Sequence, residues 1–329
     1  MDPSPPRQYA VQVPGAVLHV ERTGSGEAML GITGFGIGSQ LFGPVLPLFR
    51  DRFDCITYDN RAAGRSSTPI VPTSMPELAA DAVRVLDALG VRAAHVHGVS
   101  RGGMIAQELA LRFPDRVLSL VLQGTSPGGP RSTGPSAETL GVFALQRLPV
   151  SRERRTRALI SHLFSPQYAA EHEQEVRAHL QRLGADRAGL RGALLHLAAS
   201  SVHDTVPRLP RLQAPTLVLH GELDRMVSRA NAELLAERIP RARLAVVPGA
   251  GHVPLLERPE EVRDLILAWM DELGPVRPGR PLSPVESAAE AWTRAFGLQV
   301  GALRTGRSLA ALGAAKLPVP HRAPGRPSG

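Results

Sequence analysis

The stretch Val96-His97-Gly98-Val99-Ser100-Arg101-Gly102-Gly103 decides how this chain is read. It carries Gly-x-Ser-x-Gly between an apolar run at residues 93–96 and an amphipathic run at residues 104–111. The first predicts a buried strand and the second a helix. A serine on so tight a strand-to-helix turn takes strained backbone angles, and glycines two residues to either side leave room for them. In a chain with 32 glycines a five-residue pattern gains weight only from its surroundings. A serine hydroxyl is a poor nucleophile unaided. A chemical role for Ser100 therefore needs a base, an acid and oxyanion donors elsewhere in the chain.

Outward from this turn, strand-like and helix-like segments alternate. Residues 8–14 and 16–23 read as two strands turning at Gly15, and residues 28–32 and 53–58 as the next two. A helix is expected within residues 40–49. Residues 75–89 form an amphipathic helix with Leu78, Ala82, Val85, Leu86 and Leu89 on one face. Ser74 and Glu77 have capping-box spacing at its start. After the elbow comes an apolar strand at residues 117–123. This predicts an α/β fold with a mostly parallel, doubly wound sheet of about eight strands.

The alternation stops near Gly124. Residues 136–200 read as about four helices without a strand. Strands at 216–219 and 244–247 and helices at 230–239 and 259–273 then resume the pattern. The expected organisation is a core of residues 8–130 and 207–274, interrupted by a helical cap at 131–206. Its natural place is over the C-terminal edge of the sheet, where ligands bind in open α/β sheets. Residues 275–329 read as a Pro/Gly/Arg-rich extension, with a weak helix carrying Trp292 and Phe296 on one side.

Composition narrows the class. The formal charge is +8 over 329 residues, and 38 residues are basic, with Lys316 the single lysine. From residue 275 onward seven arginines and Lys316 face Glu286 and Glu290, giving +6 and leaving +2 for the rest. The basicity belongs to the tail, so nucleic acid is not an expected partner. A weak contact of the tail with an anionic membrane surface is conceivable, but no stable insertion is expected, since no run of 18 apolar residues exists. The N-terminal residues lack the apolar core of a secretory signal. Cys55 is the single cysteine and lies in an apolar strand, which suits a small buried hydrophobe. A cytoplasmic location is the expectation.

Two downstream segments complete the elbow. In Leu219-His220-Gly221-Glu222-Leu223-Asp224 an aspartate follows a buried strand, and in Pro248-Gly249-Ala250-Gly251-His252 a histidine follows the last strand. The order Ser100, Asp224, His252, each past the C-terminal end of a strand, resembles the α/β-hydrolase fold over residues 8–274. Asp59-Asn60-Arg61-Ala62-Ala63-Gly64-Arg65-Ser66 resembles that family's Asp-x-Arg-Gly-x-Gly-x-Ser loop, with Ala62 in place of the first glycine. Gly34-Phe35-Gly36 falls where the family keeps its oxyanion loop, and Thr33 takes the place of the usual histidine.

The resemblance implies a cofactor-independent serine hydrolase acting on a small-molecule ester or lactone. His252 would be the base and Asp224 its orienting acid. The backbone N–H groups of Phe35 and Arg101 would hold the oxyanion. Glu222 and Asp204 are rival carboxylates for the acid. The other position for it, after residues 117–123, holds Gln123-Gly124-Thr125 and offers none. Perhydrolase-type, C–C bond hydrolase and acyltransferase chemistry share the triad, and loss of a triad member would have signalled a non-catalytic binding protein. His97 is expected to pack beside the elbow. His172, Glu173 and His179 lack zinc spacing, and Gly34-Phe35-Gly36-Ile37-Gly38-Ser39 lacks the third glycine of a dinucleotide fingerprint. No metal or cofactor is therefore expected. The basic run Arg147, Arg152, Arg154, Arg155 and Arg157 reads as a solvated helix face.

Overall fold

The computed structural model describes residues 5–70, 72–146, 148–185, 189–283 and 286–287. The apolar runs pair into one eight-stranded sheet: β1 (Arg7–Val13), β2 (Ala16–Gly24), β3 (Glu27–Ile32), β4 (Phe53–Tyr58), β5 (Ala94–Val99), β6 (Val117–Gln123), β7 (Thr216–Gly221) and β8 (Ala242–Val247). The order is β1-β2-β4-β3-β5-β6-β7-β8. β2 pairs antiparallel with β1 and β4, and all other pairs are parallel. Strands β4, β5 and β7 are buried at every residue, so apolar side chains point to both faces and the polar members, among them Asp54, His95, His97 and His220, are buried with them.

Four helices cover the sheet: α1 (Met75–Ala88), α2 (Arg101–Arg112), α8 (Arg229–Arg238) and α10 (Pro259–Leu273). Leu78, Ala82, Val85 and Leu86 of α1 join Ile105 and Leu109 of α2 in one core layer. Val262, Ile266 and Trp269 of α10 pack into the other. The Ser74 hydroxyl accepts the Glu77 N–H, so the predicted cap of α1 is formed.

Three expectations need correction. No α-helix fills residues 40–49. Single 3₁₀ turns form at Ser39–Leu41 and Leu46–Leu48, because Pro44 and Pro47 withhold the amides that a longer helix needs. The segment between β6 and β7 holds five helices among the described residues, α3 (Ala137–Leu145), α4 (Arg152–Leu163), α5 (Pro166–Glu171), α6 (Glu173–Ala185) and α7 (Leu190–Ser201). The strand before the elbow also runs on to Val99.

This helical segment is tied to the core near the sheet's C-terminal edge. The Leu163 carbonyl accepts the His252 N–H at 2.9 Å, and Tyr168 Oη donates to the Leu256 carbonyl at 3.1 Å. Thr139 Oγ1 donates to the Arg225 carbonyl at 2.9 Å. On its return, Arg208 Nη1 donates to the buried Glu108 of α2 at 3.0 Å. The start of the basic extension lies against the core, with Gly279 N donating to the Pro114 carbonyl at 2.8 Å. The helix expected around Trp292 and Phe296 lies outside the described residues, as does Arg147.

Candidate active site

Ser100 sits between β5 and α2 with φ 55° and ψ −122°, a conformation that costs a non-glycine residue about 1–3 kcal/mol. The surroundings enforce it. Ser100 N donates to the Gln123 carbonyl of β6 at 2.8 Å. A Cβ on Gly98 would strike the Gly102 carbonyl, and one on Gly102 would overlap the Ile32 carbonyl of β3. The flanking glycines are therefore required by close backbone approach. Ser100 is half-buried. Its place at the N-cap of α2 puts the positive end of the helix dipole beside it.

Asp224 and His252 meet although they are 28 residues apart, with Nδ1 and Oδ2 at 2.8 Å. A carboxylate only accepts, so Nδ1 carries a proton, and in the neutral ring Nε2 is the nitrogen with the lone pair. Asp224 Oδ1 also accepts from the amides of Met226 at 2.8 Å and Val227 at 3.0 Å. Burial alone would push this carboxyl up. The His252 charge and hydrogen bond, with His220 and the Val227 amide, outweigh burial and hold it below the ordinary carboxylate value. The His252 ring lies against Gly124, where a Cβ would stand 3.2 Å from it. Because Gly124 follows Gln123, which holds the Ser100 amide, serine and histidine share one support.

The rival carboxylates are occupied elsewhere. Glu222 Oε2 accepts the Gly249 amide at 2.8 Å, and Asp204 Oδ1 the Val206 amide at 3.0 Å. Thr33 substitutes for the missing loop histidine: its hydroxyl donates to the Ile37 carbonyl at 2.8 Å, bridging the turn that carries Gly34 and Phe35. That turn abuts the elbow, since a Cβ on Gly34 would lie 3.3 Å from Ser100 Cβ. Ala62, where the resembled loop has glycine, indeed adopts a left-handed φ of 63°.

His97 packs beside the elbow. Its Nε2 lies 3.1 Å from Gln123 Oε1 and its ring is edge-on to Phe42, while burial pushes its pKa down to about 4. His172 closes α5 instead of lying on a continuous helix with His179, and stacks on Tyr168 at 4.4 Å. No cluster of potential metal ligands exists among the described residues. Arg157 and Arg177 pair with Glu153, so part of the basic run is a solvated, ion-paired face.

Four features escape sequence reasoning. Glu257 is buried, and its carboxylate accepts the amides of Gly251 at 2.8 Å and Ser165 at 3.1 Å. It thereby joins the His252 turn to α5. His220 is buried behind Asp224, its Nε2 3.6 Å from Oδ2. The side chains of Arg101 and His196 are buried beside the elbow and the Phe35 turn. Only the i,i+4 spacing of His220 and Asp224 at a strand end was open to a reader of the sequence.

Comparison with known proteins agrees with this architecture. The family model described as alpha/beta hydrolase fold matches residues 27–259. RutD of Azorhizobium caulinodans, named as a candidate carbamate hydrolase, is 32% identical over 258 residues, covering 78% of this chain and 96% of its own. The 3-oxoadipate enol-lactonase 2 of Acinetobacter baylyi is 26% identical, covering 74% and 88%. The crystal structure of a hydrolase from Pseudomonas aeruginosa superposes with a TM-score of 0.70 at 28% identity, covering 82% of this chain and 99% of the other. No described helix is long and apolar enough to cross a membrane. Sheet order, elbow and family match together establish that the chain belongs to the α/β hydrolase fold family.

Proposed function

We propose that this protein is a serine hydrolase that cleaves a carboxylic ester or lactone through an acyl-enzyme. The observation that carries the reading is the hydrogen bond from His252 Nδ1 to Asp224 Oδ2, with the His252 ring against Gly124, the residue after the Gln123 carbonyl that holds the strained Ser100. Ser100 Oγ attacks the acyl carbon as His252 takes its proton. Asp224 stabilises the imidazolium. The amides of Arg101 and Phe35, flanking the elbow, receive the oxyanion, and one such donor is worth about 2.7–4 kcal/mol in the transition state. His252 returns its proton to the leaving alkoxide and then activates water, which releases the acid. The helices at residues 131–206 serve as a lid, because the Leu163 carbonyl holds the His252 amide directly and Ser165 holds the same turn through Glu257.

The named activities of relatives support this chemistry: carbamate hydrolase, enol-lactonase and rhodomycin D methylesterase all imply attack at an acyl carbon bearing a heteroatom. The test combines a fluorophosphonate probe with a panel of p-nitrophenyl esters and lactones. Ser100 should be the labelled residue, and Ser100→Ala should lower kcat by roughly 10⁴-fold or more. An unlabelled Ser100, or a variant as active as wild type, would falsify the reading.

A further inference from the structure

Two arginines are buried in the loops around the elbow, and their surroundings differ. Arg61, after β4, is 2% exposed and donates Nε and Nη2 to Asp81 at 2.6 and 2.7 Å. Arg101, the first residue of α2, is 3% exposed, yet its Nε, Nη1 and Nη2 have no hydrogen-bond partner among the described residues. Burial lowers its pKa to about 10, so the guanidinium remains charged at neutral pH.

The neighbourhood of Arg101 is also unsatisfied. The Arg101 charge and the phenol of Tyr58, the last residue of β4, act on each other electrostatically. Tyr58 Oη is buried without a partner, as is Asn60 Oδ1 two residues on. His196 of α7 covers the same region. Its Nε2 donates to the Arg61 carbonyl at 2.9 Å, and burial, then the Arg101 charge, push its pKa down to about 3. The ring is therefore neutral and supplies no counter-charge. It packs edge-on against Phe35 at 5.6 Å, so this cluster adjoins the turn proposed to hold the oxyanion.

An isolated charge removed from water is strongly unfavourable unless it finds an opposite charge. Among the described residues, Asp81 supplies one to Arg61 and none meets Arg101, the residue next to Ser100. We propose that the Arg101 guanidinium and Tyr58 Oη bind a carboxylate carried by the substrate, so that the preferred ester or lactone is an anionic one. This rests on the reading of Ser100 as the nucleophile. The planar guanidinium fork suits a carboxylate, and the phenol hydroxyl adds a further donor.

The test compares mono-p-nitrophenyl glutarate with p-nitrophenyl valerate, which differ chiefly in the terminal carboxylate. Wild type should favour the glutarate ester in kcat/KM. Arg101→Met should lower the charged-to-neutral ratio by roughly 100-fold, chiefly through KM for the charged ester. Arg101→Lys should recover part of the ratio. Calorimetry with free glutarate should show binding to wild type that Arg101→Met abolishes, a readout independent of turnover. A wild-type preference for the valerate ester, a ratio unchanged in Arg101→Met, or equal glutarate binding by both proteins would overturn the proposal. Failure of fluorophosphonate to label Ser100 would instead remove the hydrolase reading, while glutarate binding would still decide the role of Arg101.

Discussion

At the β7–β8 end of the site, Asp224 accepts three hydrogen bonds and Glu257 accepts two. At the β4–α2 end, the Arg101 guanidinium and the Tyr58 hydroxyl make none among the described residues. Both ends are buried, so desolvation does not distinguish them. At the first end the carboxylates meet N–H donors supplied by the chain, and the geometry is complete before any ligand arrives. At the second, a charge and a hydroxyl wait for an acceptor. His220 stands behind Asp224 at the first end: burial, the largest influence, pushes its pKa down, and Asp224, with Nε2 3.6 Å from Oδ2, opposes that shift. The contrast separates preorganised chemistry from a recognition surface that its ligand completes.

The largest test of this contrast is Asp224→Asn. It keeps the shape of the β7–β8 end but favours the wrong His252 tautomer, and kcat on p-nitrophenyl butyrate should fall by about 10⁴-fold with the fold retained. Circular dichroism and steady-state kinetics check both halves. Arg101→Met probes the other end with the opposite sign for stability. Replacing an unpaired buried charge with an apolar side chain of similar length should stabilise the protein by about 1–3 kcal/mol, read by urea denaturation. A stability loss would mean that Arg101 already has a partner in solution. Glu257→Gln gives a smaller effect at the finished end. An amide can accept from Gly251 or Ser165 but not both, and it turns its NH₂ against the other N–H. Stability should fall by about 1–2 kcal/mol, with a modest loss in kcat as the His252 turn loosens. Unchanged stability would show that this carboxylate does not organise the turn.

Much of the fold was open to sequence reading because it depends on local pattern. β4, β6 and α10 lie where their apolar runs begin and end. The elbow was readable because close backbone approach demands glycine at Gly98 and Gly102. Errors arose where local signals conflict. The helix expected within residues 40–49 is limited to 3₁₀ turns by Pro44 and Pro47. Thr33 shows the opposite case: the expected histidine is absent, yet a hydroxyl bond to Ile37 bridges the same turn.

The sequence by itself determined the order of strands and helices, the strained serine turn, and the two strand-end positions of Asp224 and His252. Each follows from periodicity or from steric demands within a few residues. Tertiary structure alone decided which carboxylate meets His252, because Glu222, Asp204 and Asp224 differ in the amides that long-range folding brings to them. It also decided that Arg61 meets Asp81 while Arg101 meets no carboxylate among the described residues. Charge is written in the sequence, but pairing depends on which distant groups share a buried space.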